Sequence, residues 1–250
     1  MKLFVSVINH GHDSLITAND TLANLATSYN VVIRSNTTPS TALQKYADDA
    51  GIHLVCGEKP LGFASNNNAV FKYCQETLEM VAEDYFLVLN PDVAISVASV
   101  RQLLTLAVER NSDISAINLF RDSDFSSYDI SIRYYPKLLA PVKSLFGIKR
   151  TDVYNKDEIK EPIEIDWAAG SFLLVKSASY EQLGGFDDRY FMYFEDADLC
   201  TRANKMGLKV SYFPSVKAVH FASHQNRKLF SKHFIWYVKS SLRYHLKFIG

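Results

Sequence analysis

The run YFLVLN, Tyr85–Asn90, carries five apolar side chains in succession. A strand alternates its side chains between two faces, so a run like this must be covered on both sides, as strands inside a parallel sheet are. Four further runs share this character: LFVSVI (Leu3–Ile8), VVIRS (Val31–Ser35), IHLVC (Ile52–Cys56) and ISAINLF (Ile114–Phe120). Longer segments of helical period lie between them. In one, Val70, Tyr73, Cys74, Thr77, Leu78 and Val81 fall at i, i+3, i+4 spacing and predict an amphipathic helix. The alternation predicts an α/β fold with a central, mostly parallel sheet flanked by helices.

The period is lost between Arg121 and Pro162, which reads as a long, partly mobile excursion of the kind that is usually functional or disordered. A strand-like run, IDWAAGSFLLVK, follows, then a short helix after Ser177. GGFDDRYFMYFED leads into a helix with Leu199, Ala203 and Met206 on one face. Lys209–Phe213 and Val216–Phe221 read as two more short strands.

With 250 residues, 48% of them hydrophobic, the chain can bury one full core. Its 27 basic and 27 acidic residues balance, so charge points to no nucleic-acid partner. The balance is uneven along the chain: Asp198 is the last acidic residue, and Arg202, Lys205, Lys209, Lys217, Arg227, Lys228, Lys232, Lys239, Arg243 and Lys247 follow it. Cys56, Cys74 and Cys200 form neither a CxxC pair nor a disulfide framework and are expected to be buried thiols in a reducing compartment. The first apolar run is too short for a signal h-region, and no segment is long enough to span a bilayer, so a cytoplasmic location is expected.

Three polar clusters fall at strand ends, where open α/β sheets place ligands. In LNPD, Pro91 stops the strand and projects Asn90 and Asp92 from the sheet edge; an ordinary turn would use the same residues. In YFMYFEDADLCTR, Glu195, Asp196 and Asp198 stand behind an aromatic flank that would raise a carboxylate pKa toward that of a general base; helix capping or Arg202 pairing is the structural alternative. His220 ends VKAVH, where an imidazole can either pack or bind a divalent metal.

Taken in order, LGFASNNN, LNPD, WAAGSFLLVK, GGFDDRYFMYFEDADLCTR and His220 resemble the family 2 glycosyltransferases of GT-A fold, and among these the bacterial rhamnosyltransferases of polysaccharide assembly. The resemblance spans nearly the whole chain and is strongest from Trp167 to His220. It implies a GT-A-like nucleotide-sugar-binding domain over residues 1–225, with a nucleotide-sugar half (1–120) and an acceptor or catalytic half (121–225). It places Asn9, Ser35, Asn36, Gly62, Asn67, Asn68, Asn90 and Asp92 at the donor, Trp167, Gly170 and Glu195 at the acceptor, and Asp92 and His220 on a Mg²⁺ or Mn²⁺ ion. Asp196 matches the family's base. Asn90 and Ser35 stand where the family commonly has Asp.

The implied reaction is inverting transfer of a sugar, with L-rhamnose the one suggested, from a dTDP- or UDP-sugar to a hydroxyl of a saccharide or lipid-linked saccharide. Residues 226–250 are expected to form a basic amphipathic helix. If Leu229–Ile249 is helical, Ile235, Val238, Leu242, Leu246 and Ile249 make a narrow stripe that either lies on an anionic membrane or packs on the core. Two other classes fit less of the sequence. A catalytically degenerate sugar-nucleotide-binding subunit would explain Asn90 and Ser35, whereas a dinucleotide-dependent oxidoreductase would need a GxGxxG that VINHGHD lacks.

Overall fold

A computed structural model describes residues 1–137, 152–221 and 232–248. The strands are β1 (Leu3–Asn9), β2 (Asn30–Ser35), β3 (His53–Cys56), β4 (Tyr85–Leu89), β5 (Val93–Ala94), β6 (Ile114–Phe120), β7 (Ile132–Arg133), β8 (Ile163–Glu164), β9 (Trp167–Ala168), β10 (Phe172–Lys176) and β11 (Val210–His220). The helices are α1 (Asp13–Thr17), α2 (Thr21–Ala26), α3 (Thr41–Ala50), α4 (Phe63–Thr77), α5 (Val97–Glu109), α6 (Ser177–Gln182), α7 (Glu195–Lys205) and α8 (Lys232–Phe248).

One sheet runs in the order β3-β2-β1-β4-β10-β6-β11-β5, and β8 pairs with β11. The pairs among β3, β2, β1 and β4 are parallel, as is β6 with β11. β10 enters antiparallel between β4 and β6, and β5 and β8 pair antiparallel with β11, so antiparallel strands interrupt a sheet whose longest pairings are parallel. Strands from before and after residue 120 alternate within it, so the two expected halves share one sheet.

Alternation along β1 explains the two-sided core: Leu3, Val5 and Val7 join one apolar cluster with α3 and α5, while Phe4 joins the other with α4 and α7. Each cluster covers one face of the sheet.

Several sequence expectations shift in detail. α4 ends at Thr77, and Val81 is exposed beyond it. Met206, expected on the buried face of α7, caps that helix and is exposed. The two strands expected over Lys209–Phe221 form one, with a register shift between Phe213 and Lys217. Pro214, which has no N–H for the ladder, sits in that shift, and the chain stays extended through it. Cys74 and Cys200 are buried, but Cys56 is exposed at the end of β3. Part of the expected excursion, residues 138–151, lies outside the described residues; on its flanks β7 pairs with β9.

The LGFASNNN element is a docking surface. Phe63 N–H donates to Phe191 O at 3.0 Å, and a Cβ on Gly62 would lie 2.3 Å from that same oxygen. Asn68 Oδ1 accepts from Tyr180 OH and Phe186 N–H, and its Nδ2 donates to Phe186 O. The backbone of Phe186–Phe191 therefore rests directly on the start of α4. Gly62→Ala should destabilise the protein by at least about 1–3 kcal/mol, because the neighbour that must move is backbone. Urea unfolding checks this, and a wild-type midpoint would show that the two segments separate at no cost.

Candidate active site

Tyr193 and Phe194 are both left-handed, with φ of 71° and 66°, and Phe194 is the N-cap of α7. Two non-glycine residues in that region cost on the order of 1–3 kcal/mol each and persist only where surrounding contacts impose them. The contacts come from two sides. One is the start of α4; the other is α8, where Ser240 Oγ donates to Met192 O at 2.9 Å and His233 Nδ1 lies 3.0 Å from Tyr193 OH. Trp236 packs on Phe191, and Tyr237 and Tyr244 pack on Phe194. The strained turn delivers Glu195 and Asp196 to the first turn of α7, where the helix dipole favours an anion.

Asp196 is held by two backbone donors: Gly170 N–H to Oδ2 at 2.9 Å and Ala197 N–H to Oδ1 at 2.8 Å. Burial raises its pKa against the pull of those donors and of the Arg133 guanidinium. Glu195 is buried, and its Oε2 has no hydrogen-bond partner. Burial, followed by the neighbouring Asp196 charge, holds its pKa well above the ordinary carboxylate range. In this pair burial disfavours the charged form of both carboxyls, while Asp196 alone has backbone donors and a guanidinium that favour its anion. Asp198, by contrast, is fully buried and ion-paired with Arg202 at 2.6 Å and with Lys247; this is the Arg202 pairing weighed from the sequence.

The second cluster is built by strand pairing. Val93 pairs with His220, and Phe221 N–H donates to Asp92 O at 2.9 Å, which locks the LNPD turn against the end of β11. His220 Nε2 lies 3.4 Å from Asp92 Oδ1, and Nδ1 lies 2.8 Å from Asp129 Oδ2. Burial works against a charged ring, but the two carboxylates outweigh it and raise the His220 pKa to about 9. Asp92 Oδ1 is buried without a hydrogen-bond partner, which suits an oxygen reserved for a cation. Among the described residues no group of three or more His, Cys, Asp or Glu side chains is placed to hold a metal. Asp92 and His220 would therefore need ligand oxygens to complete a coordination shell.

A cavity of about 340 Å³ joins the clusters, lined by Asn90, Asp129, Arg133, Gly170, Asp196 and His220 among others. A second, of about 170 Å³, opens on the other side of the carboxylates between Trp167, Arg133, Tyr193 and Tyr237. Arg133 lies over the Trp167 ring, 5.0 Å from its centroid. Of the residues expected at the acceptor, Trp167 lines the smaller cavity and Gly170 the larger, and Asp196 lines both.

Other expected donor residues lie at the ends of β1 and β2. Asn9 Nδ2 donates to Ser35 Oγ and to Asp13 Oδ1, tying the two strand ends to α1. Asn36 exchanges hydrogen bonds with the Leu61 backbone. Asn67 is fully buried, accepting from Ser6 Oγ and donating to Phe63 O. Asn67 and Asn68 therefore act as internal tethers, and neither lines a cavity described above. Asp129 and Arg133 were not singled out from the sequence. They lie in the aperiodic stretch after Arg121, where the one available signal is two charged residues flanking the apolar Ile130 and Ile132.

The chain matches no protein-family model. It is 34% identical over 246 residues to the rhamnosyltransferase WbbL of Escherichia coli (strain K12), covering 97% of this chain and 92% of that one. It is 33% identical over 217 residues to an N-acetylglucosaminyl-diphospho-decaprenol L-rhamnosyltransferase of Mycobacterium tuberculosis, covering 82% of this chain and 69% of the relative. The fold resembles that of GalNAc-T7, crystallised with UDP, GalNAc and Mn²⁺, with a TM-score of 0.65 at 12% identity; the match covers 98% of this chain and 48% of that one.

The electrostatics of the pair can be checked directly. Glu195 should keep its proton at pH values where ordinary glutamates have lost theirs, because the folded protein disfavours its charged form. Asp196→Asn removes the neighbouring charge and should let that proton leave at lower pH, though still above the ordinary range because burial persists. Carboxyl ¹³C NMR across a pH series reads both, and a Glu195 titrating normally in the wild type would refute the assignment.

Proposed function

The chain belongs to the family 2, rhamnosyltransferase-like glycosyltransferases of GT-A fold, and on that premise we propose that it transfers L-rhamnose from a nucleoside-diphosphate donor to a hydroxyl of a lipid-linked saccharide. The observation that carries this reading is the single cavity lined both by Asp196 and by His220, whose ring meets Asp92 just behind the wall. An acceptor hydroxyl must lose a proton as it attacks, while the departing diphosphate gains charge. The two ends of the cavity meet those two needs.

In this reading Asp196 accepts the hydroxyl proton, and the Gly170 and Ala197 N–H groups hold its carboxylate at a fixed angle. Glu195, whose charged form is disfavoured by burial and by the Asp196 charge, orients the acceptor beside the base. Trp167, Tyr193 and Tyr237 line the acceptor side and present apolar rings to a sugar face. Asp92 and His220 would hold a Mg²⁺ or Mn²⁺ ion, which when bound supplies Lewis-acid stabilisation of the leaving diphosphate. Attack from the side opposite the leaving group inverts the anomeric centre. Asn90, lining the cavity beside them, adds hydrogen-bonding capacity but no charge, so the donor's own oxygens complete the metal shell.

The outer face of α8 gives the reading a location. Ser240, Ser241 and Tyr244 are buried against the body of the protein, whereas Ile235, Val238, Leu242 and Leu246 are exposed, the last at 73%. Core packing therefore uses one face and leaves the apolar stripe outward, with Lys232 and Lys239 also exposed. We read that face as a contact for an anionic membrane carrying the acceptor. No helix among the described residues is long and apolar enough to cross a membrane. Leu229, its two successors and Ile249, part of the expected helix, lie outside the described residues.

Two measurements test this. Asp196→Asn should lower turnover by about 10²–10⁴-fold while donor affinity, read by calorimetry, stays within a few-fold; near-normal turnover would remove Asp196 as base. Separately, the protein should bind anionic liposomes in a salt-sensitive way, and Leu242→Ser with Leu246→Ser should weaken that binding without lowering thermal stability. Equal binding by wild type and double variant would reject the membrane face.

A further inference from the structure

We propose that Asp129 is a positioning residue for the metal and diphosphate end of the site: it fixes the ring of His220 so that Nε2 faces Asp92. This rests on the reading above that Asp92 and His220 hold a divalent cation.

The geometry carries the inference. The two ring nitrogens of His220 meet different carboxylates, Nδ1 at 2.8 Å from Asp129 and Nε2 at 3.4 Å from Asp92. A cation bound here would displace the ring proton that faces Asp92, and with Nδ1–H donated to Asp129 the lone pair it meets is the one on Nε2, beside Asp92 Oδ1. Asp129 is on the far edge of the ring, so it orients the ligand and is not itself one. A carboxylate behind a metal-binding histidine has this effect in general, and its loss typically weakens metal binding by about 10–100-fold.

Asp129 is itself held in place. Its N–H donates to Leu119 O at 2.9 Å, which anchors it to β6, the strand that pairs with β11 up to the residue before His220. Its Oδ1 accepts from Ile130 N–H at 2.8 Å and lies 3.7 Å from Arg121 Nε, leaving Oδ2 to the imidazole. Beneath this turn the buried Lys156 donates to Leu119 O and to Ser131 Oγ, tying the same backbone down from the other side. Three separate chain segments thus converge on one ring: the turn after β4, the end of β11 and the loop after β6.

The test is Mn²⁺ binding followed by electron paramagnetic resonance, with and without dTDP or UDP, in the full chain. Asp129→Ala should weaken Mn²⁺ binding in the presence of nucleotide by about 10–100-fold. Asp129→Asn, which keeps a carbonyl acceptor for Nδ1–H, should recover part of the loss. In a His220→Ala background Asp129→Ala should cause no further loss, because its effect runs through the ring. With diamagnetic Mg²⁺ in place of Mn²⁺, ¹⁵N NMR of His220 should show Nδ1 protonated in the wild-type nucleotide complex and a changed tautomer balance in Asp129→Ala. Wild-type Mn²⁺ affinity in a folded Asp129→Ala, or an equal loss in the His220→Ala background, overturns the proposal while leaving the metal reading intact. No Mn²⁺ binding by the wild type with nucleotide present overturns both. If Asp129→Ala does not fold, Asp129→Asn decides: unchanged Mn²⁺ affinity together with an unchanged His220 tautomer counts against the role.

Discussion

The site depends on a backbone-to-backbone contact, the rest of Phe186–Phe191 against the start of α4. Phe63 N–H to Phe191 O closes it at 3.0 Å, and only a residue without a Cβ fits at position 62. Asn68 adds two hydrogen bonds at the other end of the segment, both to the Phe186 backbone. With the segment fixed there and α8 pressed on it from outside, the next residues have little room to relax. Tyr193 and Phe194 take left-handed conformations, and the chain enters α7 with Glu195 and Asp196 pointed into the cavities. The strain is a consequence of fixing both sides of a short connection, and it is offset by the aromatic packing of Phe191 and Phe194 on α8.

The two ends of the cavity solve opposite electrostatic problems. A base must be reluctant to carry charge, and burial makes Glu195 and Asp196 so. A cation-binding end must keep its carboxylates ionised: Asp129, despite its burial, is held below the ordinary range by the hydrogen bond and charge of His220. The two environments differ although one cavity joins them. The carboxylate pair sits on a helix N-terminus wrapped in aromatics, whereas Asp92 and Asp129 sit on turns at strand ends, bracketing one imidazole.

Strands whose burial is two-sided, such as Tyr85–Leu89 and Ile114–Phe120, were legible because an uninterrupted apolar run has few other places to go. Asp196, Gly170 and His220 were legible through the order of motifs, and the structure brings them to one cavity. What the sequence could not convey was which atoms a motif residue spends on the protein itself. Asn36, Asn67 and Asn68 were read as donor contacts, yet their side chains bond to Leu61, to Ser6 and Phe63, and to Tyr180 and Phe186. Asparagine has the same hydrogen-bonding groups for either use, so identity alone does not separate them. Asp129 was missed for the complementary reason: its role comes from a partner 91 positions away, and nothing local marks it. The left-handed pair Tyr193–Phe194 was likewise invisible, since neither is a residue type that favours that conformation.

The C-terminal helix shows how one element can serve both demands. Deleting it would remove Tyr244 and uncover the aromatic side of Phe194 on which Tyr244 packs, so truncation would confuse a membrane role with a structural one. Its inner residues touch the very segment that holds the catalytic pair: Ser240 bonds to Met192 and His233 meets Tyr193. Its outer stripe, Ile235, Val238, Leu242 and Leu246, is exposed, as is Phe191, which packs on Trp236. The placement of α8 thus ties the face proposed to meet a membrane to the turn that positions Glu195 and Asp196, through two faces of a single helix.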